Sequence, residues 1–257
     1  MILLTHWRGK LFLLYLALVP HVVRCFVARV KQPCRPSGKH DLWTRILETS
    51  WPLAVLRDLD VERGEEIAST LYAADFRMVS VTVDTKGFEK IVRECCDLQL
   101  PGMVIGVSSV TSAEQVDTAF ECGAEFISST CLDLAVVRRT KELGMLSIPG
   151  VSTESQATEA VAAGGDILKV FPANKISPAT TQRIVNVSYD TPVIVAGGVE
   201  VVDLKSFSSA GVAGFAVGRT LFTPDMTSSG LKVKAERFMR AARTLSWAQL
   251  NRQEARR

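Results

Sequence analysis

Histidine is nearly absent, and where it is absent matters. All three histidines of the 257-residue chain, His6, His21 and His40, fall within the first 40 residues. From Asp41 onward there is none, which excludes a Ser–His–Asp or Cys–His arrangement there, and any histidine-ligated metal. That stretch has four cysteines, Cys95, Cys96, Cys122 and Cys131, and no C-x-x-C pair. We read them as buried free thiols of a reducing compartment. No metal and no cofactor is expected. Acids are missing in the opposite place: residues 1–40 hold seven Lys/Arg (Arg8, Lys10, Arg24, Arg29, Lys31, Arg35, Lys39) and no Asp or Glu. The formal charge of +3 therefore belongs to the leader, since 23 of the 30 basic residues face all 27 acids in the remainder, a net of −4. A mildly acidic body argues against nucleic-acid binding.

A long apolar run is missing too. Leu11–Val23 is broken by Pro20 and His21, too short for a comfortable membrane span but suited to a signal-peptide core. After it comes the basic, acid-free segment CFVARVKQPCRPSGK. Cys25–Phe26 at the junction resembles the bipartite plastid presequences of algae with complex plastids, although no clean A-x-A site is present. Residues 1–40 are therefore expected to be a presequence directing the chain to a plastid, the alternatives being the secretory pathway or the cytoplasm. The mature form is expected to hold no membrane segment.

What is present from Asp41 to Arg257 is regular alternation. Asp41–Thr49 reads as an entry helix. Eight apolar strand candidates follow: Leu53–Leu56, Arg77–Val83, Met103–Val107, Phe126–Ser129, Met145–Ile148, Ile167–Phe171, Val193–Ala196 and Gly214–Val217. Amphipathic segments lie between them, at Glu62–Asp75, Gly87–Asp97, Ala113–Cys122, Leu132–Leu143, Glu154–Ala163, Pro178–Val187 and Val201–Ala210, and Leu231–Gln249 closes the series. Short linkers and an unbroken composition predict one α/β domain over residues 41–257, a (β/α)8 TIM barrel, with a doubly wound open sheet as runner-up.

One strand candidate carries a charge. In GGDILKVFPA, Lys169 shares a face with Ile167 and Phe171. A covered parallel strand is dry on both faces, so the ammonium is costly unless paired or neutralised. Desolvation lowers a lysine's pKa, and a neutral amine is the nucleophile that forms Schiff bases with ketones. The bland reading is a lysine at a strand end snorkelling to water. In a barrel, chemistry sits at the C-terminal ends of the strands. Small hydroxyls, glycine turns and this lysine gather there, which fits an anionic, oxygen-rich small molecule. Gly197-Gly198 after the seventh strand and Gly218-Arg219-Thr220 after the eighth read as a phosphate cradle, where backbone N–H groups approach an anion.

The stretch IPGVSTESQATEAVAAGGDILKVFPA (148–173) resembles the KDPG/KHG aldolase family, the 2-keto-3-deoxy-6-phosphogluconate and 4-hydroxy-2-oxoglutarate aldolases. The likeness runs from Ile46 to Pro224 through AVLRD, RMVSVTVDT, EQVDTAFECGAEFISS, VAGGVEVVDLKSF and AVGRTLF. It implies a class I aldolase barrel in which Lys169 is the Schiff-base lysine and Phe171 packs beside it. It makes Arg57 a basic residue near the substrate and puts the Ser109 hydroxyl where the family has threonine. Gly197, Gly198 and Gly218 become phosphate-binding glycines, and Thr220 stands for the usual serine. It also implies a keto-acid substrate, phosphorylated, and a homotrimer.

The chain departs from that pattern at telling places. Ser80 stands where the family has its general acid/base glutamate, and Asp84 where an arginine often contacts substrate. Thr82 survives between them. Asp84 lies ~13 Å along the strand from Ser80 at ~3.3 Å per residue, too far to replace the missing carboxylate. GVSSV lacks the second glycine of the pattern, and FISSTCL lacks the proline after its first serine. The expected reaction is cleavage of a 2-keto-3-deoxy (phospho)sugar acid or 4-hydroxy-2-oxoglutarate to pyruvate and an aldehyde, slowed by the lost base. A water held by Thr82 and Ser109, or the substrate phosphate, would have to serve instead. Two alternatives stand beside it: a Schiff-base keto-acid decarboxylase, and a non-catalytic barrel that binds a phosphorylated metabolite.

Overall fold

The computed structural model describes residues 52–254; the leader of residues 1–40 and the expected entry helix Asp41–Thr49 lie outside them. Strands form where the apolar runs are, because each run is buried on both faces. They are β1 (Leu53–Leu56), β2 (Met78–Thr82), β3 (Val104–Ser108), β4 (Phe126–Ser128), β5 (Leu146–Ile148), β6 (Gly150–Val151), β7 (Leu168–Val170), β8 (Val193–Ala196) and β9 (Gly214–Val217). All of them pair in parallel, in the order β5-β4-β3-β2-β1-β9-β8-β7-β6. The two ends of that order, β5 and β6, are consecutive in the chain, so the sheet rolls up into the expected barrel.

Pro149 explains why nine strands appear where eight were expected. It sits between β5 and β6 and has no N–H to give to a ladder. Before it, β5 pairs with β4; after it, β6 pairs with β7. The Pro149 carbonyl still accepts from Lys169 N–H at 2.9 Å. One expected strand is thus a single barrel stave in two pieces.

The helices are α1 (Gly64–Ala73), α2 (Phe88–Asp97), α3 (Ala113–Glu121), α4 (Leu134–Glu142), α5 (Glu154–Ala162), α6 (Pro178–Val187), α7 (Leu204–Ser209) and α8 (Ser228–Glu254). Several start on a side chain that accepts from an orphan helical N–H: Ser112 for α3, Asp133 for α4, Thr153 for α5 and Ser177, followed by Pro178, for α6. Each of these caps follows its strand closely, so the helices begin at the rim where the strands end. The expected helix Val201–Ala210 resolves into a 3₁₀ turn, Val201–Asp203, and α7. No described helix is long and apolar enough to cross a membrane.

Two apolar clusters result. The larger lies between the sheet and the helices and takes the outward strand residues, among them Val79, Val81, Ile105, Val107, Val170 and Val195. The smaller lies inside the barrel: Leu53, Met78, Val104, Phe126, Leu146, Ile148, Ile167, Ile194, Ala196 and Ala216, with Val55 and Phe171. Space inside is tight. A Cβ on Gly106 would lie 2.5 Å from the Phe126 ring, so Phe126 fills the axis at the expense of a side chain on β3. The cysteines correct one expectation. Cys95 and Cys122 are buried free thiols and Cys96 is half-buried, but Cys131 is exposed, on the loop after β4.

Candidate functional site

Lys169 is inside the barrel. It shares the inward face with Ile167 and Phe171, as strand alternation requires, and only 4% of its surface is exposed. It does not snorkel. Its position is fixed from the strand below: Asp166 accepts from Lys141 Nζ at 2.6 Å and from Ser147 N–H at 2.9 Å, while the backbone N–H groups of Asp166 and Ile167 donate to Ser147 O. This clamp ties the start of β7 to β5. Burial drives the Lys169 amine down from 10.5 to about 7, with Cys131 acting weakly the other way. At neutral pH a large fraction of the amine is therefore unprotonated, the nucleophilic form.

Its contacts are few. Nζ donates to Ser128 Oγ at 2.6 Å and lies 5.8 Å from the centroid of the Phe171 ring. Gly150 is the register partner of Lys169 on β6 and has no side chain to stand between them. A Cβ there would also strike the Thr130 carbonyl carbon and oxygen at 2.4 Å. The glycine thus lets the loop after β4 lie against β6. Ser129 holds that loop, its hydroxyl donating to Cys131 O at 2.7 Å and accepting from Gly150 N–H at 3.3 Å.

The expected acid–base position is occupied by a pair of serines. Ser80 is fully buried, and Ser108 donates to its hydroxyl at 2.6 Å. Ser80 in turn donates to Ala54 O at 3.4 Å. Two departures from the family pattern, serine for glutamate at 80 and serine for glycine at 108, thus meet in one hydrogen bond. Thr82, Ser108 and Ser128 lie in one register row across β2, β3 and β4, a belt of hydroxyls leading round the wall towards Lys169. Thr82 is spoken for within the belt, its hydroxyl 2.9 Å from that of Thr85.

Arg57 and Ser109 stand further out, at the rim. Arg57 reaches both Asp84, as an ion pair, and Ser109 Oγ at 3.1 Å. Burial pushes the Asp84 carboxyl up, but the Thr82 hydroxyl and Arg57 outweigh it, and the group ends below the ordinary aspartate range. The arginine–aspartate pair neutralises the rim, so Asp84 is not a bare charge facing the mouth. Ser109 sits at φ 63°, a left-handed backbone that serine seldom adopts, and it turns its hydroxyl to Arg57. The Thr82 and Ser109 hydroxyls are thus both engaged by side chains, Thr82 with Thr85 and Ser109 with Arg57.

The two glycine ends lie on adjacent strands, as expected for a cradle. Gly197 and Gly198 have φ of 93° and 73°, and Cβ atoms there would meet the Phe171 ring at 2.9 Å and Asn174 Nδ2 at 2.8 Å. These two glycines are demanded by the protein itself. Gly218 is different, because a Cβ there would make only ordinary contacts with Val55. Its carbonyl accepts from Leu221 and Phe222, which curls Arg219 and Thr220 into a helix-like turn. Thr220 donates to Val199 O at 2.9 Å and ties the two loops together. Among the described residues no acceptor takes the backbone N–H of Gly198, Arg219 or Thr220. Arg219 itself is exposed.

The sequence reading counts Ser108 and Ser128 among the small hydroxyls at the strand ends but gives neither a role. The signal was available: each ends a strand on the inward face, two residues after Phe126 and Gly106 respectively.

Comparisons with known proteins point one way. A family model described as KDPG and KHG aldolase matches residues 44–232. A probable 2-dehydro-3-deoxy-6-phosphogalactonate aldolase of Rhizobium meliloti is 27% identical over 184 residues, 71% of this chain and 87% of its own. The 2-dehydro-3-deoxy-6-phosphogalactonate aldolase of Escherichia coli is 27% identical over 198 residues, 76% of this chain and 97% of its own. A solved structure described as native KDPGal superposes with a TM-score of 0.74 at 26% identity, covering 77% of this chain and 97% of that one.

The neutral amine has a consequence for stability. Between about pH 7 and 10.5 the unfolded chain binds a proton at Lys169 that the fold does not, so this group's contribution to stability rises with pH across that window. At and below the lower limit the full burial penalty remains. Lys169→Met is expected to stabilise the fold most at pH 6.5, by on the order of a few kcal/mol at about 1.4 kcal/mol per pH unit of displacement, and to raise the melting temperature accordingly. The gain should shrink towards pH 10.5. Thermal melts of both proteins across this range decide it, and an equal gain at every pH would mean that the amine is not held neutral.

Proposed function

The chain belongs to the KDPG and KHG aldolase family, and on that premise we propose that it is a class I aldolase. Its substrate is a 2-keto-3-deoxy sugar acid, phosphorylated, or the shorter 4-hydroxy-2-oxoglutarate, and its products are pyruvate and an aldehyde. The observation that carries the reading is the dry, half-neutral amine of Lys169 beneath the mouth of the barrel. Nζ attacks the ketone carbon, the carbinolamine loses water, and the resulting iminium accepts the electron pair as the bond between the next two carbons breaks. Arg57 and the Ser109 hydroxyl supply donors for the acid end of the substrate. The free N–H groups of Gly198, Arg219 and Thr220 suit a phosphate at the far end.

We extend the proposal to a homotrimer, and to import into a plastid through residues 1–40. Light scattering and a reporter fused to those residues test these two points; a monomer's mass, or a cytosolic reporter, would overturn the respective one.

The reaction itself is tested by borohydride. Pyruvate and borohydride should fix a three-carbon adduct on Lys169, absent in Lys169→Met. Turnover of the phosphorylated sugar acid should exceed that of 4-hydroxy-2-oxoglutarate. No adduct at millimolar pyruvate would leave only a binding barrel.

The serine pair makes a further prediction. Ser80→Glu alone forces a larger, ionisable side chain into the buried space shared with Ser108, so it should lower the melting temperature without raising cleavage. Ser80→Glu with Ser108→Gly opens the space in front of it, and kcat should rise about 10–100-fold, the low end of what a positioned base contributes. Unchanged kcat in a folded double variant would show that the missing base does not limit this enzyme.

A further inference from the structure

Forming a Schiff base requires proton movement at the amine before any carbon–carbon bond is touched. As Nζ bonds to the ketone carbon, the C=O π pair moves onto oxygen, which leaves an alkoxide beside a positively charged nitrogen. A proton must pass from nitrogen to oxygen. In water the solvent carries it, but the Lys169 side chain is almost fully buried and has a single hydrogen-bond partner among the described residues, the Ser128 hydroxyl at 2.6 Å. The other hydroxyls and acids nearby are engaged elsewhere: Ser80 with Ser108, Thr82 with Thr85, Ser109 and Asp84 with Arg57.

We infer that Ser128 is a second catalytic residue of this site, the group that carries the proton from Nζ to the substrate oxygen. A hydroxyl is suited to this because it accepts and donates at once. Oγ takes the proton leaving nitrogen while its own proton goes to the alkoxide, giving a neutral carbinolamine and an unchanged serine. Ser128 is also fully buried, at the end of β4, so its hydroxyl meets the amine and not bulk water. The inference rests on the aldolase reading of Lys169.

The surroundings make the test clean. β6 and β8 bring Gly150, Val151, Val193, Ile194 and Val195 to the register of β7, none of them titratable. Among the described residues Cys131, on the loop after β4, is the one ionisable group that acts on Lys169, so the measurements are made in full-length protein carrying Cys131→Ser. The rate of borohydride-trapped pyruvate adduct is followed by mass spectrometry from pH 6 to 9 in that background and with Ser128→Ala, Ser128→Val or Ser128→Thr added. Alanine and valine should slow adduct formation at least about 10-fold, within the range of a positioned proton carrier, and reach the same final yield. The deficit should persist at pH 9, where the amine is neutral in every variant, and threonine should recover most of the rate. A group that merely set the ionisation of Lys169 would lose its effect at pH 9. Should alanine fail to fold, valine, which has threonine's shape without its hydroxyl, carries the comparison. Native rates in the alanine and valine variants, or a threonine variant as slow as valine, would overturn the inference alone. Absence of adduct in the parent protein would instead overturn the aldolase reading beneath it.

Discussion

The organising constraint is the desolvation of one amine. A barrel of parallel strands buries both faces of its sheet, and the inward face here is lined by Leu, Ile, Val, Met and Phe side chains. Lys169 is carried into that interior on β7 because the flanking residues Ile167 and Phe171 belong there and strand geometry leaves no choice. The position is paid for in stability, and it is held by the Asp166 clamp to Lys141 and Ser147 at the base of the strand. Much of the site follows from keeping that amine dry and unobstructed. Gly150 stays bare beside it, the Phe171 ring covers it, and Gly197 lets that ring approach.

The departures from the family pattern are not scattered. Ser80 and Ser108 meet each other in a buried hydrogen bond, and Asp84 meets Arg57 at the rim. Each replacement that would leave an orphan is answered by a partner within reach. A buried hydroxyl without a partner is itself destabilising, so serine at 80 is better tolerated with serine at 108. An aspartate at 84 without Arg57 would present a negative charge to an anionic substrate. This pattern fits a site remodelled as a unit.

How much of this was legible in the sequence depends on which physical signal carried it. Strands and helices could be read because the apolar runs are short and continuous while the helices are amphipathic, and most strand positions agree to within a residue or two. The split at Pro149 was legible only in hindsight, since a proline at a strand end looks the same as one that interrupts a stave. Lys169 stood out because a charge in a dry run is conspicuous. Ser128 did not, because serine is ordinary at a strand end, and its role depends on β4 and β7 being brought together across Gly150. The Arg57–Asp84 pair was hidden for the same reason: the residues are 27 positions apart and meet only when β1 and β2 lie side by side. Residues 1–40 were read from composition alone and lie outside the described residues.

Removing the carboxylate from position 80 does more than delete a base. A negative charge within ~4–6 Å of an amine favours its protonated form and raises its pKa, against the direction in which burial acts. With the serine pair in place, burial acts on Lys169 almost unopposed, and the amine comes to about 7. The neutral nucleophile is then abundant at physiological pH, which favours the first step, attack on the ketone. Later steps, which take a proton from the substrate hydroxyl and return one to the enamine carbon, lose the group best suited to them. The same substitution therefore pulls the two halves of the reaction in opposite directions. On the proposed reading, capture of the keto acid is the easier half and carbon–carbon cleavage the slower one, unless the substrate brings its own proton acceptor. A phosphate bound as proposed at Gly198, Arg219 and Thr220 would bring such an acceptor, with a charge of the sign that position 80 lacks.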